Sequence, residues 1–321
     1  FLGLRDLDNC NWDHVSNKFA QVLCNWRCRY LTMRGKAVIC HALACSKLWF
    51  LGAVIHLPRN YEDKFTRLLF KFIWNDKIEQ VKRETMFLPV SEGGQGVVSI
   101  SRKMDAMRLS HLKEFLYGEH KRWMFYTAYW IGHSVRHYKR ELGSNLVPHS
   151  VTRPLFYDLV IQSLDKLLTT DPNFCIRTST TRQFYAQLMT TVYQRPRVEG
   201  DFPHINFEAV WPSVASKFLS ADCRNLTWKV CHRILPVKTW LYKLKIVKDV
   251  NCAFCTQPET LAHLFCNCRY FSHFRIAVEH LITSITGVRV HLEENVVLFF
   301  IIAWECCSMK TDVVITACQT I

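Results

Sequence analysis

The sequence predicts a mainly α-helical fold, and three observations carry that prediction. Apolar residues return at three- and four-residue steps over long stretches, Pro residues fall where those stretches end, and a Cys/His set with metal-ligand spacing lies near the C-terminal end. The expected order is a three-helix bundle over residues 1–77, a helical connector over 78–205 and a small knuckle domain over 206–321.

The first helix of the bundle shows Trp12, Val15, Phe19, Val22, Leu23 and Trp26 on one face. Thr32 offers an N-cap for a second helix, whose buried side is expected to hold Val38, Leu43, Leu48 and Trp49 and which Pro58 limits. A third helix carries Phe65, Leu68, Leu69, Phe72 and Ile73. Over residues 1–77 there are 12 Lys/Arg against 6 Asp/Glu, so the outer surface of the bundle is basic. Glu92-Gly-Gly-Gln-Gly96 follows as a hinge or tight turn using positive φ angles. It lacks the GxxxxGK[ST] pattern of a phosphate loop.

From Met104 to Arg140 aromatic and basic residues interleave, among them Tyr117, Lys121, Arg122, Trp123, Phe125, Tyr126, Trp130, Lys139 and Arg140. Such mixing suits phosphate neutralisation and base stacking, although most such rings serve a core. Residues 144–154, 178–181 and 195–203 read as loops. Further helices are expected over Trp211 to Leu219, and through Leu226, Val230 and Ile234 to a stop before Pro236.

The densest chemical signal is Cys252-Ala-Phe-Cys255, with His263 after seven further residues and Cys268 after four more. Two thiolates on one tight turn and two ligands a short loop away are what four-coordinate zinc requires, and four protein ligands leave no open position for catalysis. The predicted zinc is therefore structural. Cys266 competes with Cys268 as fourth ligand; Cys268 is favoured because a helix begun at Glu259 and Thr260 and bent at Asn267 brings it back to His263.

Composition narrows the partner. The 321 residues carry 41 Lys/Arg against 27 Asp/Glu, a net charge of +14, and are 49% hydrophobic: a folded, basic protein suited to a polyanion. Seven Lys/Arg and no Asp/Glu lie between Arg224 and Lys248, so Arg233, Lys238, Lys243, Lys245 and Lys248 are candidate phosphate contacts just before the knuckle. Fifteen Cys in a long chain with no hydrophobic signal segment point to a reducing, intracellular compartment. The longest apolar run, Val296 to Trp304, has nine residues where a bilayer needs about 20, so no membrane partner is expected.

The order of landmarks resembles non-LTR (LINE-type) retrotransposon reverse transcriptases. Phe1-Leu-Gly-Leu, Leu31-Thr-Met-Arg-Gly-Lys36, Lys47-Leu-Trp49, Leu57-Pro58, Phe70-Lys-Phe-Ile-Trp-Asn75 and Glu92-Gly-Gly-Gln-Gly96 are similar to the segment after the polymerase core. Trp228, Arg233-Ile-Leu-Pro236 and the Cys252, Cys255, His263, Cys268 set resemble that family's zinc-binding region. Together the likeness covers about residues 1–105 and 210–305. It implies that residues 1–77 are a thumb holding template–primer, with Arg34 and Lys36 as candidate backbone contacts. It also implies that the zinc region binds element RNA and target DNA, that the protein works in nucleus and cytoplasm, and that an upstream polymerase region of the same polypeptide is its partner.

The chain departs from a complete polymerase. It has no Asp-Asp pair of the kind that holds two catalytic metals, so it is expected to be a fragment that does not polymerise alone. Neither Gly-x-Ser-x-Gly nor His-Glu-x-x-His is present to organise hydrolysis. The competing expectation is a zinc-stabilised helical protein-interaction module or retained retroelement remnant. A steep fall of affinity with salt separates the first reading from the second.

Overall fold

A computed structural model describes residues 5–138, 152–287, 289 and 291–299. The described residues are mainly helical: α1 (Arg5–Arg27), α2 (Met33–Ile39), α3 (Ser46–Gly52), α4 (Arg59–Ile73), α5 (Arg83–Met86), α6 (Ile100–Tyr117), α7 (Trp123–Ile131) and α8 (Leu155–Thr170). They continue with α9 (Thr181–Met189), α10 (Arg197–Asp201), α11 (Phe207–Val214), α12 (Ala221–Cys231), α13 (Lys238–Lys243), α14 (Ser272–Thr286) and α15 (Glu294–Phe299). The expected landmarks at Phe1-Leu-Gly-Leu, Lys139, Arg140, most of 144–154 and the end of the 296–304 run lie outside the described residues. The beginning of that run, Val296 to Phe299, is helical, and Leu298 and Phe299 are buried.

The chain separates into two compact units that do not follow chain order. One comprises residues 1–31, 35–79 and 97–193; the other comprises 32–34, 80–96 and 194–321.

In the first unit, α1 and α4 pack through the faces read from the sequence. Trp12, Phe19 and Phe65 are fully buried, the Phe19 and Phe65 rings are centred 4.9 Å apart, and Trp12 Nε1 donates to the His56 carbonyl at 2.8 Å. The middle helix departs from expectation. Between α2 and α3 the backbone makes a π turn over Cys40–Ala44, with the Cys45 N–H bonding back to the Cys40 carbonyl at 2.8 Å. The expected row Val38, Leu43 and Leu48 is spaced by five residues, whereas one helix face recurs at steps of three and four. Ala37, Cys40, Ala44 and Leu48 form the buried row at such steps, with Cys45 buried beside them, while Val38 and Leu43, expected inside, are 47% and 36% exposed.

Helices α6, α8 and α9 share a second core in the same unit, built on Leu109, Leu112, Phe115, Val160, Leu164, Phe184 and Leu188. Several aromatics of the 104–138 stretch line it, including Trp123, Trp130 and Tyr138, while Phe125 and Tyr126 stay exposed. Thr180 and Gln183 form a capping box that starts α9. Asp105, 3% exposed, is pinned by Arg108 at 3.2 Å, Lys166 at 2.9 Å and the Ser163 hydroxyl at 3.0 Å. Burial lowers the Arg108 pKa, and the neighbouring Asp105 charge works against that shift. Removing one member of a buried pair strands the other, so Asp105→Ala is expected to destabilise the protein by about 3–5 kcal/mol in denaturant melts.

In the second unit the glycine loop is the expected tight turn, and its backbone is buried. A 3-10 turn over Val90–Glu92 leads into Gly93, whose φ is +84°, and Gly93, Gly94 and Gln95 are all buried. The Gly93 carbonyl accepts from both Trp228 Nε1 and His232 Nε2 at 2.8 Å each. A Cβ at Gly93 would lie 2.7 Å from the Trp211 ring, so the residue is glycine for close approach as well as for its backbone angle. The His232 ring stacks on Trp211 with centroids 5.0 Å apart, and burial pulls its pKa down to about 4 despite the bond to Gly93.

The depressed value has a stability consequence. Below about pH 6.5 an unfolded chain takes up a proton that the folded ring refuses until about pH 4. Stability therefore falls as pH drops through that window, by up to roughly 3 kcal/mol from this group. Urea melts between pH 7 and pH 4 are expected to show a steeper acid loss for the wild type than for His232→Phe.

Candidate metal centre

The local chain from Val250 to Cys268 builds the site by two devices. The first is a short hairpin: Cys252 N donates to the Gln257 carbonyl and Glu259 N to the Val250 carbonyl, both at 2.8 Å, around an antiparallel bridge between Asn251 and Pro258. Its tip carries Cys252 and Cys255. The second is a π turn over His263–Asn267, entered where Thr260 Oγ1 accepts from His263 N at 3.0 Å and closed by Cys268 N donating to the His263 carbonyl at 2.9 Å. The chain turns extended at Cys268, with φ −71° and ψ 122°, which returns that thiol to the imidazole.

The result is a compact Cys3His set. The ligand atoms of Cys252, Cys255, His263 and Cys268 all lie within 4.8 Å of one another. Cys255 Sγ is 3.2 Å from His263 Nε2 and 4.0 Å from Cys268 Sγ. Zinc–sulfur bonds of about 2.3 Å in a tetrahedron require sulfur atoms about 3.8 Å apart, so the donor set fits zinc without rearrangement of the backbone. Cys266 is not one of this group; it is buried, and burial pushes its thiol up to about 11. The backbone there is held by Arg275 Nη1 donating to the Cys266 carbonyl at 2.7 Å.

Electrostatics favour loading at the knuckle. The Phe254 N–H, aimed at Cys252 Sγ from 3.5 Å, is the main influence that holds the Cys252 thiol down to about 7, with help from His263 and against the effect of burial. At Cys255 the Gln257 N–H pulls downward, but burial and the neighbouring Cys268 and Cys252 thiols leave its pKa raised. One thiol is thus poised for ionisation ahead of its neighbour, and a bound cation would draw the rest. When bound, zinc would supply four bonds that close the hairpin onto the π turn.

Helix α13 is tied to the same hairpin. Glu259 accepts from Lys238 N through its carboxylate at 3.0 Å and from Thr239 N and Oγ1 through its carbonyl, at 3.2 and 2.8 Å. The Lys238 ammonium donates to the Asn251 carbonyl at 2.7 Å and lies 3.9 Å from Asp249. Lys238 therefore belongs to the scaffold of the knuckle. Lys243, Lys245 and Lys248 are exposed, and Arg233 is exposed with its guanidinium 4.9 Å over the Phe202 ring.

The two N-terminal candidates are built into the fold. Lys36, expected to reach a phosphate, is buried, with its ammonium donating to the Ile73 carbonyl at 3.3 Å and to the Asn75 side chain at 2.5 Å. These bonds satisfy the C-terminal end of α4, where cations are favoured, and this placement removes Lys36 from the candidate phosphate ligands. Arg34 is exposed, but its guanidinium donates to the Gln95 carbonyl, and burial lowers its pKa. Sequence reasoning missed Phe254 and Tyr270, whose rings stack 4.9 Å apart beside the ligands; the aromatic inside the CxxC turn was their visible signal.

Residues 183–274, which contain the Cys3His set, match the family described as zinc-binding in reverse transcriptase. The Transposon TX1 uncharacterized 149 kDa protein of Xenopus laevis is 32% identical to this chain over 91 residues. That alignment covers 28% of this chain and 7% of the relative's length.

Because binding of a structural zinc and local folding are one equilibrium, loss of a ligand is expected to open the region as well as empty it. Cys255→Ser and Cys268→Ser should lose stoichiometric zinc by metal analysis and expose residues 240–285 to protease. Cys266→Ser should keep its zinc; loss of metal from this variant together with retention in Cys268→Ser would exchange the fourth ligand.

Proposed function

We propose that this chain is the nucleic-acid-gripping C-terminal segment of a non-LTR retrotransposon reverse transcriptase. On this reading residues 1–77 act as a thumb on template–primer, 78–205 as a helical connector, and 206–321 as the zinc-binding domain that holds element RNA and target DNA. The segment serves an upstream polymerase region of the same polypeptide, in cytoplasm and nucleus, and performs no nucleotidyl transfer by itself. Cys252, Cys255, His263 and Cys268 are the zinc ligands.

The observation that carries the reading is the junction of a reverse-transcriptase zinc region with an unopposed basic run. Residues 183–274 match the family, and within them Lys243 at the end of α13 and Lys245 and Lys248 in the stretch leading to the knuckle hairpin stand exposed. Exposed lysine ammonium groups suit phosphate contacts that position a strand without reading its sequence. No described helix is long and apolar enough to cross a membrane.

The test uses the zinc-loaded protein. Replacing Lys243, Lys245 and Lys248 together with Ala is expected to weaken RNA and DNA binding across unrelated sequences. The log–log salt slope should fall by about 0.7–0.9 for each phosphate that the variant no longer neutralises. Zinc content and melting temperature should hold, since exposed Lys changes usually shift stability by less than about 0.5 kcal/mol. Wild-type binding by the triple variant at every salt concentration would favour the protein-interaction module.

A further inference from the structure

The knuckle displays an aromatic pair that its metal chemistry does not use. Phe254 lies between the first two ligands and Tyr270 two residues after the last, in a 3-10 turn over Arg269–Phe271. Their rings stack at 4.9 Å with planes 20° apart, yet they remain 50% and 64% exposed. Phe271 braces the pair from the side, edge-on to Phe254 at 5.4 Å and to Tyr270 at 5.4 Å. Three aromatic rings held together with two of them open to water are poorly explained by core packing, since burial of either face was available only to Phe271, which is half-buried.

The surroundings identify the occupant. From Thr260 to Val278 there is no Asp or Glu, while Arg269 and Arg275 contribute positive charge and Arg269 stands exposed next to Tyr270. A stacked aromatic pair with an adjacent exposed guanidinium, on a stretch of chain without Asp or Glu, is complementary to a base joined to a phosphate. An acidic or purely aliphatic partner would use only half of it. Base pairs in a duplex hide their faces against one another, so an unpaired base is the one that can lie on the ring.

We propose that Phe254 and Tyr270 form a stacking platform for unpaired bases of single-stranded nucleic acid, with Arg269 taking the neighbouring phosphate. The proposal rests on the nucleic-acid reading above and deepens it: the zinc site holds its two strands of chain together so that rings sixteen residues apart face each other. Stacking tolerates any base, so the platform adds affinity for single strands without sequence preference.

The experiment measures fluorescence anisotropy of the zinc-loaded protein with labelled oligouridine and with a blunt duplex of equal length. Tyr270→Ala and Phe254→Ala are expected to weaken oligouridine binding about 10-fold each, leave duplex binding within about twofold and leave the salt slope unchanged. Tyr270→Trp should restore or exceed wild-type affinity, which a merely structural ring would not do. Arg269→Ala should lower the salt slope by about 0.7, the single-strand increment for one phosphate. If both Ala variants keep their zinc and bind oligouridine like the wild type, the platform is refuted while the lysine-based reading stands. Equal losses on duplex and oligouridine would also refute it, because the rings would then be acting through the fold. If the wild type binds neither probe, the nucleic-acid reading itself falls, and the exposed rings belong to a protein partner.

Discussion

Everything distinctive in the C-terminal part of the chain depends on the closure between His263 and Cys268. They stand five positions apart with four residues between them, and an ordinary helix would send their side chains to different faces. The π turn cancels that divergence by bonding Cys268 N to the His263 carbonyl, and the extended backbone at Cys268 completes the return. The hairpin supplies the other two thiols, and Glu259 passes directly from the hairpin to the start of α13. Metal site, basic helix and aromatic rings are therefore positioned by one segment too short to bury much of its own apolar surface. Such a segment cannot rely on a core of its own, and a four-ligand metal is the usual substitute.

How much of this was legible in the sequence follows from the kind of signal. Helix faces in α1 and α4 were readable because Trp12, Phe19, Phe65 and Ile73 obey a regular period, and the ligand quartet was readable because its spacing is constrained by coordination chemistry. Val38 and Leu43 were misplaced because the face actually buried is made of the small residues Ala37, Cys40 and Ala44, whose weak apolar signal is outweighed in the sequence by larger side chains beside them. Lys36 was misread for a different reason. A Lys beside an Arg reads as surface charge, and only the folded chain shows that α4 ends where the ammonium can reach its carbonyls.

The same limit governs the glycines. Glu92-Gly-Gly-Gln-Gly96 correctly signalled positive φ, yet glycine also occurs where another group comes too close for a Cβ, and the sequence does not distinguish the two uses. Gly93 serves both, since its carbonyl and its missing side chain are each matched to a ring. Likewise Lys238 and Lys243 look equivalent in a run of cations, but one is bound to the hairpin backbone and the other faces water.

The position of Gly93 also bears on how the protein can be divided. The stretch matching the zinc-binding family begins at residue 183, about ninety residues after the loop whose carbonyl receives the Trp228 and His232 donors. A fragment cut to the matching boundaries would keep both donors and discard their shared acceptor, together with the glycine surface on which Trp211 rests. The natural module of this region is thus discontinuous: residues 80–96 must travel with 194 onward, whatever intervenes. An evolutionary rearrangement that moved the zinc region alone would have to bring that loop along or replace it.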